Sequence, residues 1–232
     1  MGSANRRTGS SVDQATDTVT FQRARRPQQK EDRRQAILEV AQQQLSASPF
    51  SELTMAKLAE KAGLAKGTLY LYFETKEELL MALVENLLQK WFSEIRQKLR
   101  KAGGTPEGVA RTIGVSLLKQ DALAHLLPIV IGVTEQNADQ KWIADYRTRV
   151  VDQCRVLGKS IEPLSQGMKP GGGTRFLLYA LALMTGLNQL GAEQVKNGGL
   201  LAKSRDVKAQ RSSFEREFSA GLQVVMRGLR TV

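Results

Sequence analysis

An all-α fold, with a small helical head at the N-terminus and a larger helical body behind it, is what this sequence predicts, and three observations carry the prediction. Only 6% of the 232 residues are aromatic, while Ala, Leu, Gln, Lys and Arg abound. Few segments alternate apolar with polar residues as half-buried strands do. Apolar residues recur instead three and four apart, the repeat of one helical face. With 41% apolar and 25% charged residues the composition is that of a globular protein, and the length allows a sizeable core.

Residues 1–30 are rich in Arg, Gln, Ser and Thr, with Val12, Val19 and Phe21 almost alone as apolar residues. They read as a mobile basic arm that cannot form a core. From Glu31 onward Ile37, Leu38, Val40, Ala41 and Leu45 line one helical face, ended by Ser48 and Pro49 because proline cannot continue the ladder. A second helix starts at Thr54, whose hydroxyl caps its first turn, and buries Leu58 and Ala59. Gly63 stops it, since glycine enters the left-handed conformation beyond a helix end without steric cost. A short third helix runs from Lys66 to about Phe73. Thr75 caps a long fourth one reaching about Arg100, with Glu77 and Glu78 in its positively polarised first turn.

Beyond Gly103-Gly104 and Pro106, helices are expected near 107–119, 121–136, 139–162, 173–190 and 211–230. Pro163, Lys169-Pro170-Gly171-Gly172-Gly173 and Asn197-Gly198-Gly199 mark the loops. The expected divisions are an arm (1–30), a three-helix head (31–80, motif about 54–73) and a body (81–232).

The single Cys154 cannot close an intramolecular disulfide, and no secretory leader pattern opens the chain. A cytoplasmic protein is expected. The longest apolar stretch, Phe176 to Met184, falls far short of the roughly 20 residues that cross a bilayer, so no membrane partner is expected. Formal net charge is +11, which favours polyanions. Its distribution is uneven: residues 1–80 hold 12 Lys and Arg against 10 Asp and Glu, a net of +2, and residues 81–232 hold 22 against 13, a net of +9. Global charge therefore does not locate a DNA-reading surface.

Local sequence does. Leu53 to Leu79 reads LTMAKLAEKAGLAKGTLYLYFETKEEL, two short helices about a glycine-containing turn, the arrangement that places its second helix in the major groove. Thr54, Leu58-Ala59, Ala62-Gly63, Lys66-Gly67-Thr68-Leu69-Tyr70, Tyr72-Phe73 and Lys76 with Glu78-Leu79 resemble, in register, the signature of the TetR family of bacterial regulators over about residues 31–91. Chemistry points the same way. Gly67 lacks a side chain, so the helix start can approach a phosphate, and Thr68 adds a hydroxyl donor. Leu69 and Phe73 share a face that packs inward, leaving Tyr70, Leu71 and Tyr72 nearer solvent or DNA; Tyr70 is also readable as a packing residue. Lys66 can donate to guanine O6 and N7, whereas Tyr72 and Lys76 suit phosphates. The resemblance makes these positions, with Thr54, the DNA contacts. Two residues depart from the family pattern: Ala65 stands where a serine cap is common, and Leu71 occupies a position often polar or aromatic. Leu71 shifts base readout toward apolar contact, such as a thymine methyl.

The resemblance also implies a homodimer built on the last two long helices, reading a palindromic operator because a two-fold protein imposes a two-fold site. Leu177, Leu181, Met184, Phe214, Phe218, Leu222 and Val225 are the expected interface residues. It further implies a small-molecule effector pocket in the body, for which Trp91, Phe92, His125, Trp142, Tyr146, Phe176 and Tyr179 are candidates, although each also reads as core or surface. Cys154 reads as an inert buried thiol. Arg23, Arg25 and Arg26 of the arm read as a solvated tail or a minor-groove tracker.

An enzyme is not expected. No phosphate-cradling or dinucleotide glycine loop, serine elbow or metal-spaced His and Cys cluster occurs, and no cofactor or metal is implied. The expected function is a homodimeric repressor released from its operator by an effector; the alternatives are an activator, or a DNA binder that organises the nucleoid or regulates cell division.

Overall fold

The computed structural model describes the backbone of residues 14–101, 104–136, 140–196 and 207–231, and the side chains of 28–100, 104–133, 141, 143–190 and 211–231. Nine α-helices and no strand occur among these residues: α1 (Gln14–Ala47), α2 (Met55–Lys61), α3 (Lys66–Tyr70), α4 (Lys76–Lys101), α5 (Pro106–Leu117), α6 (Asp121–Gln136), α7 (Gln140–Ile161), α8 (Gly172–Lys196) and α9 (Val207–Thr231). Short 3-10 turns at Phe50–Glu52 and Glu162–Leu164 follow the first and seventh.

Local chemistry sets most boundaries. Thr54, Thr75 and Thr105 each accept a bond from the backbone N–H three residues on, at 3.3, 3.0 and 3.1 Å, and so satisfy donors that a helix start leaves free. Pro106 opens α5, where its missing N–H costs nothing. One expectation is corrected at the N-terminus. Helix α1 begins at Gln14, inside the stretch expected as a mobile basic arm, and runs through Pro27, which has no N–H for the carbonyl of Arg23. Residues 1–13 lie outside the description.

The head consists of the packed half of α1 with α2 and α3, closed over Ile37, Leu38, Ala41, Leu58, Leu69 and Phe73, none more than 1% exposed. Helix α4 joins it to the body through consecutive residues. Asn86 exchanges amide hydrogen bonds with Gln35 of α1 (2.8 and 3.5 Å). Glu85, beside it, pairs with Arg149 of α7 at 2.8 Å.

In the body, α8 packs against α6, α7 and α9, and α9 against α5. The α7–α8 crossing is backbone on backbone: a Cβ at Gly158 would lie 2.4 Å from the Thr174 amide nitrogen, and one at Gly173 would lie 2.2 Å from the Gly158 carbonyl oxygen. Helix α6 contains Pro128, which has no N–H for the carbonyl of Ala124 four residues back. The Asn188 side-chain amide of α8 donates to that carbonyl instead. No single described helix is long and apolar enough to cross a membrane.

Candidate DNA-reading surface

The turn between α2 and α3 follows from one glycine. Gly63 has φ 64°, its N–H donates to the Glu60 carbonyl at 3.1 Å, and the next N–H, of Leu64, reaches back to Ala59 at 2.9 Å. This paired closure satisfies carbonyls at the end of α2, and half-buried Leu64 packs onto the core beneath. The chain then re-enters a helix at Ala65, which offers no side-chain cap.

Helix α3 has two unlike faces. Leu69 is wholly buried and Phe73, just beyond the helix, is 1% exposed, whereas Tyr70 is 42% and Leu71 76% exposed. Lys66 and Gly67 also face outward, and Thr68 is half-buried. Tyr72 differs from expectation: it is half-buried and packs against the core, so only part of it remains for an outside contact. A Cβ built at Gly67 would meet nothing within 4 Å. Packing within the chain therefore does not require glycine there.

Among the described residues of the head, three cations lie over aromatic rings. The Lys66 ammonium is 5.9 Å from the Tyr70 ring centroid, that of Lys76 is 4.8 Å from Phe50, and the Arg34 guanidinium is 5.3 Å from Phe73. Sequence spacing did not reveal the second pair, because Phe50 and Lys76 meet only once the head has folded. At the start of α4, Thr75 caps Glu78 N–H, and the Glu78 carboxylate accepts from Glu74 N–H at 2.7 Å, which fixes the backbone beside Lys76.

The residues expected to line an effector pocket divide between the core and the surface. Trp91 (1% exposed), Phe92, Tyr146 and Phe176 (0%) belong to the core, and the Trp91 indole N–H donates to Ser116 Oγ at 3.2 Å. Burial pushes the Tyr146 phenol above its usual range; the Glu85 carboxylate adds to this and Arg149 opposes it. Tyr179 is 49% exposed. His125 is exposed and lines a cleft of about 230 Å³ between α1 and α6 with Gln42, Leu45, Ser46, Asp121, Ala122 and Leu126, none of them a predicted pocket residue. The Trp142 side chain lies outside the described residues. Cys154 is buried, with its thiol pushed up to about 12 by desolvation.

The expected dimer residues are mostly buried within the single chain. Leu177, Met184, Phe218 and Leu222 are 0% exposed and Leu181 is 8%, while Phe214 and Val225 pack against the same core. Neighbouring helices of their own chain cover Leu177, Leu181, Met184, Phe218 and Leu222, so these five are not free to meet a second copy, whereas Phe214 and Val225 are half-buried. The outward face of α8 carries Tyr179, Ala182 and Leu190, with Gly186 half-buried, and that of α9 carries Ala220, Val224 and Gly228 together with Arg216, Glu217 and Arg227. Val224 is 67% exposed.

Comparison with known proteins adds an independent line. Residues 37–83 match the sequence family described as bacterial regulatory proteins, tetR family, and residues 85–232 match the tetracyclin repressor-like C-terminal domain. The chain is 32% identical over 96 residues to the HTH-type transcriptional regulator EthR of Mycolicibacterium smegmatis, covering 41% of this chain and 44% of that protein. The chain thus spans about half the length of the curated relatives it matches first. It is 28% identical over 160 residues to the nucleoid occlusion factor SlmA of Marinomonas sp., covering 62% of this chain and 74% of that protein. The fold resembles the crystal structure of the TetR family repressor AlkX from Dietzia sp., with a TM-score of 0.51, 17% identity and coverage of 86% and 96% of the two chains.

Proposed function

Because the chain belongs to the TetR family, its C-terminal match alone covering residues 85–232, we propose that it is a homodimeric, site-specific DNA-binding regulator that represses transcription from a palindromic operator. The observation that carries this reading is the outer face of α3. Lys66, Gly67, Tyr70 and Leu71 project from a short helix whose other face is fixed by Leu69 and Phe73. An apolar side chain left 76% exposed costs solubility and contributes nothing to the core, but suits a thymine methyl in the major groove.

In this reading Lys66 reads base edges. Thr54, Gly67, Thr68, Tyr72 and Lys76 hold the phosphate backbone, which fixes register without specifying sequence. The dimer forms through the outward stripes of α8 and α9, whose small residues let helices of two copies approach closely. Glu85 and Asn86 support effector control, since one is tied to the body and the other to the head. A ligand that displaced α4 in the body would change the spacing of the two heads and so their match to successive major grooves. Such a regulator acts in the bacterial cytoplasm and is no enzyme.

Lys66→Ala and Lys76→Ala test the division of labour. Lys66→Ala relaxes preference at particular base pairs; Lys76→Ala weakens binding to every sequence and lowers the salt slope by about one. Equal losses on all sequences would remove Lys66 from its base-reading role. A second reading, a nucleoid or cell-division factor, is favoured by one observation: the match to SlmA covers more of its relative, 74%, than the match to EthR, 44%. Genome-wide occupancy separates the two, a few promoters supporting the regulator and many scattered sites the alternative.

A further inference from the structure

We infer that Phe50 is a positioning residue for DNA binding, its ring holding the Lys76 ammonium in place before DNA arrives. The inference rests on the reading of Lys76 as a phosphate contact. Phe50 opens the 3-10 turn that precedes α2, and Lys76 is the first residue of α4. The two are 26 positions apart in sequence, yet the ammonium nitrogen lies 4.8 Å from the ring centroid, within the distance at which a ring face attracts a cation.

Both partners stand on fixed backbone. Leu53 N–H donates to the Phe50 carbonyl at 3.1 Å and Glu52 N–H to Pro49 at 3.0 Å, while Leu53 is 4% exposed and anchors the turn in the core. Phe50 is half-buried against that core. On the other side, the Thr75 cap and the Glu78–Glu74 bond set the start of α4. Lys76 has acidic neighbours in Glu74, Glu77 and Glu78, but it forms no ion pair among the described residues. The ring face is its one described partner.

This arrangement suits a phosphate contact. A ring face attracts the ammonium without consuming its three N–H donors, because the attraction is electrostatic and comes from one side. A carboxylate in the same place would neutralise the charge and reduce the counterion release that drives backbone binding. Lysine otherwise loses much rotamer freedom on being fixed, and holding it in advance removes part of that loss from the binding step. Phe50 therefore acts through Lys76 and needs no contact with DNA.

The test is a double-mutant cycle read on full-length protein bound to a mixed-sequence duplex across a salt series. Phe50→Leu keeps apolar bulk and removes the ring; Phe50→Tyr restores the ring. Phe50→Leu is expected to weaken binding about two- to fivefold, the range set by partly exposed cation–π pairs, and to have little further effect when Lys76 is already Ala. Phe50→Tyr should bind as the parent does. The same factor lost in both backgrounds, or a Tyr variant as weak as the Leu variant, would overturn the inference, since a general loosening of the head does not depend on Lys76. Thermal melts of each variant show whether the head has remained folded. If Lys76→Ala leaves the salt slope unchanged, the phosphate assignment fails first and the positioning role with it.

Discussion

Replacing Gly67 with alanine should separate stability from DNA binding. A Cβ at this position would meet nothing within 4 Å, and Gly67 is the second residue of α3 without a left-handed backbone, so the added methyl creates no clash in the free protein. Glycine inside a helix costs about 0.5 to 1 kcal/mol relative to alanine. Gly67→Ala should therefore leave stability unchanged or raise it by up to about 1 kcal/mol. Against DNA the sign reverses. If the backbone at Gly67 lies against a phosphate, the methyl holds it away, and the loss of one hydrogen bond to a charged group is about 1.5 to 3 kcal/mol, or roughly a tenfold to hundredfold loss of affinity. Urea unfolding and duplex titration on one preparation measure both quantities. Unchanged DNA affinity would show that the vacancy beside Gly67 is unused; a marked loss of stability would show that the glycine serves the fold after all.

Gly158→Ala should do the opposite, destabilising the body by about 3 kcal/mol or more, because its Cβ would lie 2.4 Å from the backbone of α8 and backbone cannot yield as a side chain does; urea unfolding checks it. Val224→Glu, at a site 67% exposed in a single chain, should leave the fold intact while converting the dimer to monomer by sedimentation and weakening operator binding; a variant that stays dimeric would move the interface elsewhere. The Cys154 thiol, raised to about 12 by burial, should resist thiol reagents at neutral pH until the protein is unfolded in urea. Because its folded pKa lies above its unfolded one near 8.5, its contribution to stability is complete below that pH and is lost as pH rises toward 12, which urea midpoints across alkaline pH would record.

Much of this architecture is legible in the sequence because local chemistry places it. Thr54, Gly63 and Thr75 mark helix ends through caps and a left-handed turn that need no knowledge of the rest of the chain. The two faces of α3 follow from the four-residue spacing of Leu69 and Phe73. Which surface would meet a second copy is not legible in the sequence, for a definite reason. Periodicity identifies the apolar stripe that some surface must cover, as with Leu177, Met184, Phe218 and Leu222, but does not say whether the cover is the chain itself or a second copy. The small residues on the faces left open, Ala182, Ala220 and Gly228, barely register as apolar, and on α9 they stand beside Arg216, Glu217 and Arg227. The helical start of α1 was not legible because residues 14–27 carry neither a repeating apolar face nor an uninterrupted run of helix formers, Pro27 lying among them. The Phe50–Lys76 pair is a product of tertiary packing, and no local spacing announces it.

Selection of bound sequences from random duplex DNA by the purified full-length protein, at a stated salt concentration, tests the central claim most directly. The account predicts a palindromic consensus whose half-sites lie about one helical turn apart or a multiple of it, with preference at individual half-site positions relaxed in Lys66→Ala. Recovery of unpatterned DNA, bound with the same affinity as any mixed-sequence duplex, would contradict it.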